Sequence, residues 1–179
     1  HIWSPDVYEA SPMPIVAFLS VVPKLAGIVV LSKFALTLTL FGQSQFDWQL
    51  VLGIIAMLTI GIGNLSALWQ TNPKRLMAYS SIAQAGFLLI GVVCFTEQGM
   101  HALLFYSALY VITNFAVLIL LQAFETNGID SIPSFRGVGK TFLFSSVVLL
   151  IGLISLTGIP PTGGFTSKLF VFASLWSSY

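Results

Sequence analysis

The chain has 179 residues, of which 56% are hydrophobic and 7% are charged, and its formal net charge is +1 with a mean hydropathy of +0.95. Soluble domains carry about 25% charged residues, and disordered segments are poor in apolar ones, so the composition excludes both classes and indicates an integral membrane protein. The apolar composition makes the lipid bilayer an expected partner. Because the sequence has no basic patch, we expect no binding to nucleic acid.

Five apolar stretches are long enough, or nearly so, to cross a bilayer as helices, which takes roughly 20 residues each. They lie at residues 14–41, 50–69, 76–95, 102–124 and 142–179. The last stretch is interrupted at Gly158–Gly164, where prolines and glycines are expected to unwind the helix. Barrel strands of about 10 alternating residues are not seen, so the sequence predicts an all-α integral membrane fold with a single domain over residues 1–179.

Lysine and arginine side chains concentrate in two connections between the predicted spans, residues 70–76 and 125–140. Asp47 and Glu97 lie in connections that contain neither lysine nor arginine. Positive charge favours the inner side of a membrane, so we expect the first two connections to face the cytoplasm or its equivalent. Lys33 fits this orientation less well, because it would lie toward the opposite side.

The ends of the chain and its cysteine content set two further expectations. The sequence begins at His1 without a methionine or a signal-peptide pattern and stops at Tyr179 inside an apolar run, so we expect an interior piece of a longer polytopic protein.

Cys94 is the only cysteine and lies among apolar residues. With no phosphate-binding loop, dinucleotide fingerprint or iron–sulfur pattern either, we expect this chain to bind no cofactor and no metal.

Lys24 and Lys168 lie inside predicted spans, where an ionisable side chain costs about 2.5–3.5 kcal/mol and suggests a functional site by default. Lys24 follows Pro23, which leaves the carbonyl of Leu19 free, and Lys168 follows a broken stretch typical of ion-coupling sites in transporters. Desolvation disfavours an ammonium group and a nearby carboxylate favours it, so a lysine subject to both can take up and release a proton. The pattern predicts a proton relay; the alternative is a structural lysine paired with a helix carbonyl or a lipid phosphate.

Two other ionisable residues are candidates for the same relay. Lys33 either passes protons or extends to the membrane surface, depending on where the first span ends. His101 begins the fourth span near Glu97 and belongs to the residue type that titrates near neutrality, although interfacial histidines are common.

Four sequence motifs carry a resemblance to a known family. They are HIWSPDVYEASPMP at 1–14, VPKLAG at 22–27, GNLSALWQTNPKRLMAYSSIAQAGF at 63–87 and SLTGIPPTGGFTSKLF at 155–170. In this order they closely resemble subunit N of respiratory complex I, one of the antiporter-like membrane subunits of NADH:quinone oxidoreductase. The motifs and the spans between them cover nearly the whole chain.

The resemblance implies a fold of fourteen membrane helices built from two inverted five-helix repeats, with this chain holding the eighth helix to most of the broken twelfth. In the family, a row of lysines along the membrane midplane carries protons. By motif, Lys24 matches the lysine of the eighth helix and Lys168 that of the broken twelfth. Relatives often carry histidine where this sequence has Gln84, so a titratable group is missing between the two lysines. Water, His101 or a partner subunit would have to bridge that gap.

The implied function is proton translocation coupled to NADH:quinone electron transfer, as a membrane subunit of a proton-pumping oxidoreductase that has no redox centre of its own. NADH and quinone would be used by the whole complex. The implied partners are the other membrane subunits, both paralogous antiporter-like subunits and small ones, most simply in a bacterial plasma membrane or else an organellar one. Two alternatives stay open. In the first, the chain belongs to a subunit of a cation/proton antiporter or of a membrane-bound hydrogenase. In the second, it belongs to a purely structural subunit of the membrane arm.

Overall fold

The computed structural model describes residues 2–41 and 47–177, with side chains described up to residue 37 in the first of these ranges, and it contains helices and no strands in these ranges. The prediction of an all-α fold is confirmed. The long helices are α2 (Met13–Phe41), α3 (Trp48–Ala67), α4 (Pro73–Val93) and α5 (Glu97–Glu125), with α7 (Leu143–Thr157) and α8 (Gly163–Ser177) following them. Two short helices, α1 (Ser4–Ala10) and α6 (Val138–Thr141), and a 3₁₀ turn at Ile132–Phe135 complete the fold.

Among the residues that the structure describes, four helices, α2 to α5, are long and apolar enough to cross a membrane. The fifth predicted stretch consists of two helices of 15 residues each, α7 and α8. Gly158 ends α7 in the left-handed conformation (φ = 83°), which a glycine adopts without strain. The break is shorter than expected, because Gly163 and Gly164 begin α8 instead of belonging to the unwound segment.

Polar side chains in the connections define where three of the long helices begin. Asp47 accepts a hydrogen bond from the backbone of Leu50 at 3.0 Å, and Thr96 accepts one from Gly99 at 3.1 Å. Asn72 accepts from Lys74 at 2.8 Å and also from the next residue. Each cap satisfies a backbone N–H that has no partner inside its helix. The predicted spans began at residues 50, 76 and 102, and the capped helices begin earlier, at Trp48, Pro73 and Glu97.

Helix α4 lies at the centre of the bundle and packs against α1, α2, α3, α5 and α8. Its closest neighbour is α3, because two glycines remove the side chains between the helices. A Cβ atom on Gly63 would lie 2.7 Å from the backbone nitrogen of Ala83, and one on Gly86 would lie 3.0 Å from the carbonyl oxygen of Ala56. Small residues allow this kind of close approach between membrane helices. Polar side chains on α4 are thereby enclosed on nearly every side.

Helix α1 is attached to the start of α4 by ion pairs. Arg75 binds Glu9 at 2.7 Å and Asp6 at 3.1 Å, and the Asn72 amide donates a 3.3 Å hydrogen bond to Glu9. A second ion pair, Lys74–Glu125 at 2.7 Å, joins α4 to the end of α5. The cations that set the predicted membrane orientation therefore also hold helices together on that side of the bundle.

We expect Gly164→Ala to destabilise the protein by about 1–3 kcal/mol, because helix α8 begins directly against α7 and leaves no room for a methyl group. Gly164 donates its backbone N–H to Ser155 Oγ at 3.2 Å, and an added Cβ would overlap the Ser155 carbonyl oxygen. Thermal unfolding of the purified full-length subunit in detergent measures the change. Gly53→Ala is the matched control, since nothing lies within 4 Å of that position. Equal unfolding temperatures for both variants would contradict the close contact.

Candidate functional site

Lys24 reaches from α2 into the space between α4 and α5. Its ammonium group donates hydrogen bonds to the Ser81 carbonyl at 2.7 Å, to the Ser81 hydroxyl, and to the Tyr110 hydroxyl at 3.0 Å. These contacts match the three donors of an ammonium group with three oxygen acceptors, all of them uncharged. The partners of Lys24 thus come from two other helices, and not from the free Leu19 carbonyl of its own helix.

A buried hydrogen-bond cluster supports the Tyr110 end of this contact. The Tyr110 hydroxyl donates to the Ser20 carbonyl at 3.2 Å, and the Asn114 amide donates to the Ser20 hydroxyl at 2.7 Å. The exposed fraction of each of these three side chains is 3% or less. Buried polar groups paired in this way are expensive to separate, so the cluster fixes α2 against α5 next to Lys24.

Lys168 lies on α8 and caps the end of α7. Its ammonium group donates to the Leu156 carbonyl at 3.0 Å and to the Thr157 carbonyl at 2.9 Å, and it lies 4.2 Å from the centre of the Phe87 ring. The end of a helix carries partial negative charge, which favours a cation there. A Cβ on Gly158 would lie 2.8 Å from Lys168 Cδ, so the glycine both ends α7 and leaves space for the lysine.

Gln84 lies between the two lysine sites. Its amide nitrogen donates to the Leu156 carbonyl at 2.8 Å, the same oxygen that accepts from Lys168, and its amide oxygen accepts from the Tyr106 hydroxyl. Gln84 lies one turn after Ser81 on α4, and Tyr106 lies one turn before Tyr110 on α5. Adjacent turns of the same two helices therefore carry the contacts of Lys24 and the Gln84–Tyr106 pair, which shares an acceptor with Lys168.

A small cavity lies at the junction of these two sets of contacts. Its walls include Gln84, Tyr106, Tyr110, Ser155 and Lys168, and its volume of ≈ 10 Å³ is about that needed for one water molecule. We define the midplane row as the side chains from Lys24 through Ser81, Tyr110, Tyr106 and Gln84 to Lys168. The row can move a proton through hydroxyl groups, which both donate and accept, but not through the Gln84 amide as it stands.

No carboxylate neutralises either lysine within residues 2–41 and 47–177, where the ion pairs involve Lys74 and Arg75 instead. An ammonium group buried without a counter-charge is costly, and release of its proton removes that cost. The two lysines are therefore suited to losing and regaining protons, provided that the energy of each charged state can be changed from outside.

The structure does not bring Lys33 or His101 into the midplane row. Lys33 is exposed on α2, more than two turns beyond Lys24. His101 is exposed near the start of α5 and lines a separate groove together with Phe105 and Phe170. Their roles in a relay stay predictions without geometric support from this chain.

Tyr106 and Tyr110 are members of the row that the sequence reasoning missed. Tyrosines of membrane helices are usually enriched at the interfaces with water, yet these two lie well inside α5 and are 3% exposed. Their spacing of four residues places both hydroxyls on one face of the helix. Two tyrosines with this spacing in the middle of a span were the available signal.

The family model described as "NADH:quinone oxidoreductase/Mrp antiporter, TM" matches residues 1–179. The chain belongs to this family. Subunit N 2 of NADH-quinone oxidoreductase from Chloroherpeton thalassium is 44% identical over 183 residues, covering 98% of this chain and 35% of that relative. Subunit 2 of an NAD(P)H-quinone oxidoreductase from Synechococcus sp. strain JA-3-3Ab is 43% identical over 179 residues, covering 99% and 34%. The resemblance drawn from the four motifs is confirmed, and the chain spans about a third of the length of these relatives.

Solved structures show the same helix arrangement as this antiporter-family chain. An archaeal membrane-bound sulfane sulfur reductase matches with a TM-score of 0.86 at 30% identity, covering 97% of this chain and 36% of the other. Respiratory complex I of Thermus thermophilus with bound aureothin gives 0.80 at 31%, covering 99% and 38%. The Mrp complex of Dietzia sp. DQ12-45-1b gives 0.86 at 26%, covering 99% and 33%. The fold is therefore shared by several types of membrane complex.

We expect Gln84→Leu to destabilise this family member by about 1–3 kcal/mol, because the buried Tyr106 hydroxyl then loses its acceptor. Thermal unfolding in detergent measures the effect. Gln122→Leu on α5 is the matched control, since that glutamine is exposed. If both variants unfold at the same temperature, the Gln84 amide contributes no net stability.

Proposed function

We propose that this chain forms part of a proton-translocating membrane subunit that couples NADH:quinone electron transfer to proton movement. One observation carries the proposal, namely that Tyr110, which binds Lys24, and the Gln84–Tyr106 pair beside Lys168 line one cavity with room for about one water molecule. The names of the subunit N and subunit 2 relatives support the coupling to a quinone oxidoreductase.

In the proposed mechanism, a charge change near one lysine alters the energy of its ammonium form, and its proton then moves along the row. Lys24 releases its proton toward the Ser81 hydroxyl, and Lys168 accepts one through water next to the cavity. Because the Gln84 amide passes no proton, it separates two short segments of the row, each served by its own lysine. Moving one charge through 100 mV requires about 2.3 kcal/mol, so the coupling must supply energy of this order for each proton that crosses the membrane.

The redox chemistry lies outside this chain in the proposal. NADH oxidation and quinone reduction take place in other subunits, and a conformational or electrostatic signal reaches the lysines through the membrane arm. The partners are accordingly the other membrane subunits, including paralogous antiporter-like ones. The relatives are about three times as long as this chain. We place the remainder of the proton path in the part of such a longer subunit that this chain does not cover.

A cation/proton antiporter subunit is the second candidate function. The likeness to the Mrp complex, with a TM-score of 0.86, favours keeping it. The two candidates differ in what drives the proton, which is electron transfer in one and a cation gradient in the other. A requirement for sodium in NADH-free vesicles, together with co-purification of antiporter subunits, would favour the second.

We expect Lys24→Ala and Lys168→Ala each to reduce proton pumping by roughly tenfold, which corresponds to about 1.4 kcal/mol on the barrier of a proton-transfer step. The full-length subunit is tested in its native complex. NADH-driven acidification of inverted membrane vesicles measures pumping, and NADH oxidation with an artificial acceptor measures the redox part. Lys140→Ala is the control, because that lysine is exposed on the short helix α6. Normal pumping by both alanine variants would refute the relay.

Replacement by arginine separates a relay from a purely structural role. Lys168→Arg retains a cation that can donate to the carbonyls of Leu156 and Thr157, but a guanidinium group does not release its proton in proteins. We expect the variant to assemble with the other subunits and to lose acidification as completely as Lys168→Ala. An arginine variant that assembles and pumps like the parent would show that only the positive charge matters.

A further inference from the structure

Tyr8 connects the surface helix α1 to the Lys24 site. Its side chain is only 3% exposed although α1 lies outside the membrane-spanning helices, and its hydroxyl lies 3.3 Å from the Ser81 hydroxyl. The Ser81 hydroxyl in turn accepts a hydrogen bond from Lys24. The contact leads away from Lys168, toward the side of the membrane where Arg75 binds α1. The midplane row therefore has a branch that the proposed path between the lysines does not use.

The two hydroxyl contacts of Lys24 differ in their freedom to reorient. The Tyr110 hydroxyl donates its proton to the Ser20 carbonyl, so its direction is set. In the Ser81–Tyr8 pair, either hydroxyl can be the donor. When Lys24 is charged, it donates to Ser81, and Ser81 is free to donate to Tyr8. When Lys24 is neutral, its nitrogen can accept from Ser81, which then accepts from Tyr8.

This reversal is what a proton path requires. To charge Lys24, the O–H bond of Ser81 breaks as a new N–H bond forms on the lysine. The O–H bond of Tyr8 breaks as the Ser81 hydroxyl is restored, and Tyr8 regains a proton from a hydronium ion at the membrane surface, which becomes neutral water. One proton enters and one positive charge appears on Lys24, so the step is balanced. The opposite sequence discharges the lysine.

The surroundings of Tyr8 suit this role. Ser4, at the start of α1, is buried and its hydroxyl interacts with that of Tyr8, which extends the branch along the surface helix. Burial raises the pKa of the Tyr8 phenol above its ordinary value of 10.0, so the group stays neutral at neutral pH and transfers a proton only as it receives another. The ion pairs of Arg75 with Asp6 and Glu9 hold α1 in register with α4.

We propose that Tyr8 and Ser81 form the route by which Lys24 exchanges protons with the membrane surface that carries α1. The inference rests on the proposed function, because it needs Lys24 to change its protonation state. The competing explanation is that Tyr8 is a packing residue, whose hydroxyl only satisfies Ser81.

The test uses the full-length subunit in its native complex, with Tyr8→Phe, Ser81→Ala and the double variant. Acidification of inverted vesicles is recorded together with NADH oxidation by an artificial acceptor. We expect each single variant to lose pumping by roughly tenfold, the scale of 1.4 kcal/mol on one barrier. Because the two groups act in series, the double variant should lose no more than the more impaired single variant.

Two further variants keep the test decisive. Ser81→Thr retains a hydroxyl and should restore pumping relative to Ser81→Ala, which also gives an answer if Tyr8→Phe fails to assemble. Tyr79→Phe is the control for the loss of a tyrosine hydroxyl, since Tyr79 interacts with Arg75 and not with Lys24.

The outcomes separate this proposal from the proposed function. If Lys24→Ala stops pumping while Tyr8→Phe and Ser81→Ala pump like the parent, the route is refuted and the relay stands. Multiplicative losses in the double variant would also overturn the route. If Lys24→Ala itself pumps normally, the proposed function fails and the route fails with it.

Discussion

Two ammonium groups lie among membrane helices with neutral oxygen atoms as the hydrogen-bond partners seen in the described part of the chain. Each needs several acceptors at once, and a regular helix supplies few, because its carbonyls are already used by its own backbone. The two lysines meet this need in different ways. Lys24 uses a side chain and a backbone carbonyl of α4 and a tyrosine of α5, whereas Lys168 uses the carbonyls at the interrupted end of α7.

The broken helix therefore has a specific physical purpose at Lys168. Ending α7 at Thr157 frees its last carbonyls, and Gly158 turns the chain without a side chain that would obstruct the lysine. Gly164 then lets α8 begin directly against Ser155. In this arrangement the ammonium group and its acceptors come from consecutive helices, so their mutual position depends on a short stretch of chain.

Lys24 depends instead on contacts between helices that are far apart in sequence. Ser81 and Tyr110 reach it only because α4 and α5 pack together beside α2. The glycines that bring α3 close to α4, and the ion pairs that fix α1 to the start of α4, keep the polar face of α4 in place. Gln84 lies on that same face, and its amide links Tyr106 to the carbonyl that holds Lys168. The position of α4 therefore decides that the uncharged Gln84 amide lies at the centre of the midplane row.

Composition and periodicity alone determined the all-α membrane class, the positions of the long helices and the two lysines, because apolar length, helix breakers and charge act locally along the chain. The caps at Asp47, Asn72 and Thr96 each satisfy backbone groups within a few residues. The tertiary structure decided which groups the lysines contact. Tyr8, Tyr106 and Tyr110 have no local signature of their partners, because a hydrogen bond between helices depends on crossing geometry and rotation that no short stretch of sequence specifies.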